Sequence, residues 1–86
     1  MSKKAAIRIR LYGNGRFLGY LKSVSMKTQK IKSTDSYYEA KRFINLNLAK
    51  VDAENIGFLT HGGLDVEIIG EDENTNIVVL SPVGSI

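Results

Sequence analysis

The chain has 86 residues, 43% hydrophobic and 24% charged, with one proline and no cysteine. A chain of this length supports one core, because so small a domain buries only about 60–65% of the surface its unfolded form exposes. The composition excludes a disordered tail, and the missing cysteines exclude a disulfide framework and thiolate metal sites.

The start, MSKKAAIRIRLYGNG, is basic, but Arg8 and Arg10 interrupt its apolar positions, so it does not read as a signal peptide. No apolar run nears the roughly 20 residues of a membrane span. The expectation is one soluble, cytoplasmic, unprocessed domain over residues 1–86. The net charge of +3 hides a division at Lys50. All twelve lysines and arginines lie in residues 1–50 beside only Asp35 and Glu39, a net of +10, whereas residues 51–86 carry seven acids and no lysine or arginine, −7. Either basic and acidic strands lie side by side, where opposite-sign cross-strand pairs contribute about 0.2–1 kcal/mol each, or the halves form separate patches.

In chain order, Ala5 to Tyr12 alternates strictly, with Ile7, Ile9 and Leu11 on one face and Arg8, Arg10 and Tyr12 on the other, the period of a half-buried strand. Asn14-Gly15 then signals a hairpin, since both residues tolerate the positive φ of a type I′ turn. A two-residue loop pairs Leu11 with Leu18 and puts Phe17 and Leu21 outside with Arg8, Arg10 and Tyr12. A three-residue loop with a bulge instead puts Arg16, Leu18 and Tyr20 there. Lys22 to Ser33 predicts a third strand or an extension of the second, and Lys30 and Lys32 suit an edge that resists pairing with other chains.

Ser36-Tyr37-Tyr38-Glu39 fits a capping box, predicting a helix from Tyr37 to about residue 50 whose stripe of Ala40, Phe43, Ile44, Leu48 and Val51 lies on the sheet, with Lys41, Arg42, Asn45 and Asn47 outward. Ala53, Ile56 and Leu59 predict a continuation across Gly57, as a bend or a second helix, ended by Gly62-Gly63. Leu64 to Ile69 alternates as a strand, and Ile77 to Leu80 reads as its hairpin partner, buried on both faces. The fold class is therefore α+β: an antiparallel sheet of four to five strands with one or two helices on one face, in the order ββ(β)α(α)ββ.

No enzyme constellation is present. His61 stands alone, and with no cysteine no metal site is expected around it; it reads as a helix cap or surface residue. Glu71 to Asn76 lacks the spacing of a calcium loop, and Gly13-x-Gly15 lacks the third glycine and the helix of a nucleotide fingerprint. Asp65 and Glu67 share a strand face without signs of a cleft. No catalysis and no cofactor are expected. The candidate binding patch is Arg8, Arg10, Tyr12, Arg16 and Tyr20, because arginine and tyrosine are enriched at protein interfaces and also suit phosphates and unpaired bases.

The segment IKSTDSYYEAKRFINLNLAKVDAENIG followed by LDVEII, spanning Ile31 to Ile69, resembles a layout of small accessory proteins of phages and prophages. The resemblance implies a non-enzymatic binder. Some such proteins, including certain anti-CRISPR inhibitors, block host defence complexes by occupying their protein or nucleic-acid surfaces. The family has no shared functional residues to carry over. A protein or nucleoprotein partner is thus the first expectation. A nucleic-acid binder using the hairpin face is the alternative, and a structural subunit assembling through sheet edges, as a homodimer for example, is the third.

Overall fold

The computed structural model describes residues 7–72, 74 and 76–81. Five strands, β1 Arg8–Gly13, β2 Arg16–Ser25, β3 Lys30–Thr34, β4 Asp65–Glu71 and β5 Ile77–Ser81, make one antiparallel sheet in the order β3-β2-β1-β4-β5. One helix, α1 Leu46–Thr60, packs on β4, β1 and β2, so the class is α+β. Among the described residues no helix is long and apolar enough to cross a membrane.

Alternation assigns the two faces. Ile9, Leu11, Leu21, Val66 and Ile68 point to the helix and are buried, joined by Ile7, Phe43, Ala49, Ala53 and Ile56. Arg8, Arg10 and Tyr12 point to the other, open face, opposite Ile69, Glu67 and Asp65 of β4.

The hairpin follows neither predicted register in full. Asn14 and Gly15 form the two-residue turn at φ 53° and 79°, and Tyr12 pairs with Phe17. The register then shifts, so that Leu11 faces Gly19 and Arg10 faces Tyr20, with Leu18 as the extra residue. The sequence offered a choice between a tight turn and a bulge; the strand uses both. Phe17 and Tyr20, three residues apart, therefore share the open face, while Leu21 turns into the core. Gly19 makes this possible, because it sits at φ 131° and a Cβ there would lie 3.0 Å from the Thr34 carbonyl oxygen.

The helix differs more. Tyr37–Glu39 is a single 3₁₀ turn, and Ser36 makes no side-chain cap. Thr34 Oγ1 accepts from the Ser36 amide and donates to Glu39 Oε1, which takes the glutamate away from a capping box. The chain then crosses the end of the sheet, where the Lys41 amide donates to Leu21 O and the Phe43 amide to Ile7 O, both at 2.9 Å. The true N-cap is Asn45, whose Oδ1 accepts from the Leu48 amide. Moving the start rotates the helix: Ala49, Ala53 and Ile56 face the sheet, while Ile44, Leu48 and Val51, expected there, are exposed with Phe58. The alanines let the backbone approach the sheet closely, which the bulkier stripe would not. Ala40 and Phe43 are buried as expected, but from the crossing segment. α1 runs unbroken through Gly57 and ends with His61 at φ 53°, its amide donating to Gly57 O and Phe58 O.

Lys30 and Lys32 are exposed on the edge strand β3. β5 is the opposite edge, and Ile77 to Leu80, expected to be buried on both faces, are instead 38–49% exposed. An end strand has a neighbour on one side only, and α1 does not extend over it.

Candidate binding interface

On the open face the charge division of the sequence resolves into neighbours. β4 brings Glu67 and Glu71 beside the arginines of β1: Arg10 Nε lies 2.8 Å from Glu67 Oε1 and Arg8 Nη1 lies 3.7 Å from Glu71 Oε2. The Tyr12 hydroxyl donates to the same Glu67 oxygen at 3.1 Å. Partial burial and this hydrogen bond raise the Tyr12 pKa.

Arg8 is only 4% exposed, and neither Nε nor Nη1 makes a hydrogen bond. Its guanidinium carbon sits 3.8 Å from the centroid of the Tyr37 ring, which roofs it. The ring face and the Glu71 carboxylate together offset the cost of desolvating the cation. Tyr37 in turn donates to Glu71 Oε2 at 2.6 Å. Burial, then that hydrogen bond, push its pKa up to about 12 from 10.0. The folded state thus holds a proton that an unfolded tyrosine releases near 10. The contribution is full below pH 10 and is lost as pH rises from 10 to about 12. Difference titration of tyrosinate absorbance between the native chain and Tyr37→Phe should place one ionisation near 12; a midpoint at 10 would separate Tyr37 from Glu71.

Tyr37 also completes a row of rings. Tyr12, Phe17, Tyr20, Tyr37 and Tyr38 meet edge to face in sequence, with centroids 5.8, 5.3, 5.5 and 5.6 Å apart. Such contacts contribute about 0.5–1.5 kcal/mol each beyond burial. Phe17 remains 49% and Tyr38 86% exposed, so the row presents apolar surface as well as order. At its far end Tyr20, Tyr37, Tyr38, Glu71 and Ile77 line a shallow cleft of about 540 Å³.

The structure brings together four of the five expected residues, Arg8, Arg10, Tyr12 and Tyr20. Arg16 pairs with Gly13, so it stands on the helix-side face of the hairpin tip, exposed but away from the row. Arg8 contributes from beneath the surface. Sequence reasoning missed Tyr37 and Tyr38, which it read as the first turn of a helix, and left Phe17 to one of two registers. The adjacent Tyr37-Tyr38 pair, directly before the glutamate of an unformed capping box, was the available signal. Among the described residues no three side chains of the metal-binding types come together, and His61 is the exposed C-cap of α1. Comparison of the chain with family models, with curated proteins and with solved structures gives no match.

Proposed function

We propose that the chain is a non-enzymatic binding protein that occupies a surface of a protein or nucleoprotein partner with the aromatic row of its open face. The carrying observation is that the rings are displayed while the arginines beneath them are already matched by Glu67 and Glu71. Arginines matched in this way offer little net attraction to a polyanion beneath the rings. Its exposed rings supply the rigid, amphipathic contact area that dominates protein interfaces. The resemblance of Ile31 to Ile69 to phage accessory proteins supports a role as a mobile-element accessory protein, with inhibition of a host defence complex as one such role.

Nucleic-acid binding is the second reading, favoured by Lys30 and Lys32, which share the open side with Tyr20 through the pairs Lys30–Ser25, Lys32–Ser23 and Thr34–Tyr20. The double variant Phe17→Ala with Tyr38→Ala separates the two. Loss of two interface rings of about 1–2 kcal/mol each should weaken a protein complex roughly 10²-fold with a shallow salt dependence. The measurement is capture of one partner from nuclease-treated lysate, followed by titration of that purified partner. Steeply salt-dependent retention on single-stranded RNA or DNA, lost in Lys30→Ala with Lys32→Ala, would establish the second reading instead.

A further inference from the structure

The two edges of the sheet are built differently. β3 carries Lys30 and Lys32, while both edge pairings hold a register shift, between Leu21 and Ser23 on one side and between Ile68 and Ile69 on the other, so the difference between the edges is one of charge. β5 has the sequence IVVLS, with no charged residue and no proline, and four large side chains between 38 and 49% exposed. Among the described residues no strand pairs with the outer side of Ile77 to Leu80. An uncharged apolar edge is a template for another strand, and proteins that must stay single usually block it as β3 is blocked.

From this asymmetry we infer that β5 pairs with β5 of a second copy of this chain, antiparallel about a two-fold axis, joining two five-stranded sheets into one. Charge selects that occupant. A strand that meets itself antiparallel sets the residues near the axis beside their own copies, and β5 has no ionisable group there. Pairing of β3 with β3 would bring lysines together, and β5 with β3 of another copy would be head-to-tail and open-ended, burying lysines against apolar side chains. The acidic turns beside Asp72 do not oppose the pairing. In an antiparallel pair they lie at opposite ends, about 17 Å apart for five residues at 3.3–3.4 Å each, beyond a Debye length of about 8 Å.

A two-fold perpendicular to the sheet keeps both α1 helices on one side and both aromatic rows on the other. Ile77 walls the cleft of Tyr20, Tyr37 and Tyr38, so the dimer carries one such cleft on either side of its axis. Two short strands bury less than the roughly 1,200 Å² of a standard interface, so the pairing is of the weak, concentration-dependent kind.

The test is sedimentation velocity on the full chain from low to high micromolar concentration, which needs no partner and so is independent of the proposed function. The mass should rise from 9.5 kDa towards twice that value and stop there. Val79→Lys, which faces two lysines across the axis, should abolish the rise with an unchanged circular dichroism spectrum. Should that variant not fold, native hydrogen exchange supplies the readout: amides of β5 should gain protection with concentration while those of β3 do not. A mass fixed at 9.5 kDa throughout, growth beyond the dimer, or β5 protection independent of concentration would overturn the pairing. So would a dimer that survives Val79→Lys but dissociates with Leu48→Glu and Phe58→Glu on the exposed side of α1.

Discussion

Phe43→Ala is expected to lower the unfolding free energy by about 3–5 kcal/mol, a large share of the 5–15 kcal/mol typical of a domain. The ring is buried where the chain crosses the sheet end, and its amide is bonded to Ile7 O, so the backbone cannot easily collapse into the space left behind. Leu48→Ala is the comparison. Leu48 has similar chemistry but lies on the exposed side of α1, and surface changes of this kind usually stay within about 0.5 kcal/mol. Urea unfolding of both variants checks the pair. Equal losses would mean that α1 is rotated from the orientation described, with Leu48 against the sheet.

Gly19→Ala should cost about 1–3 kcal/mol, the usual magnitude for forcing a side chain into a sparsely populated backbone region. Its φ of 131° is one that alanine resists, and the obstructing atom is the Thr34 backbone carbonyl, which cannot swing aside as a side chain would. The alternative to strain is a register slip that removes the bulge. Phe17 and Tyr20 would then no longer share a face, and the row would break between its second and third rings. Near-ultraviolet circular dichroism of the tyrosines should weaken together with the fall in stability. Gly57→Ala provides the opposite sign: open space surrounds it and the backbone is helical, so a gain of about 0.5–1 kcal/mol is expected. If Gly19→Ala were as harmless, the bulge would owe nothing to that glycine.

The strands were legible because a period of two is strict: Ile7, Ile9 and Leu11 could face only one way once the strand was recognised. The charge division was legible as a pattern but not as an outcome, because adjacency of β1 and β4 is a long-range fact. Arg8 shows the same limit, since alternation gives its face but not the roof, which arrives with Tyr37 from a later segment. The helix was misread for a local reason. Residues 40, 43, 44, 48 and 51 and residues 46, 49, 53 and 56 both satisfy helical spacing, and the bulkier set drew the assignment. The discriminating signal was Asn45, a capping residue that places the start after the first set has begun. Four apolar residues in a row usually mark an interior strand, and only the strand order reveals β5 as an edge.

The position of the first strand in the middle of the sheet has a consequence for how the chain reaches this state. β1 meets β2 through a two-residue turn, but its other neighbour pairs Tyr12 with Asp65. The first contact forms on a hairpin's own microsecond timescale, whereas closing the second loop, of roughly fifty residues, costs about 3.5 kcal/mol of chain entropy before any constant term. Between these events the hairpin has two bare flanks and both Glu partners of its arginines are missing. Early docking of α1 shortens the effective loop, because the helix lies inside it. The arrival of β4 then closes the core, matches the buried cation and ends the interval in which an unfinished chain is most open to mispairing.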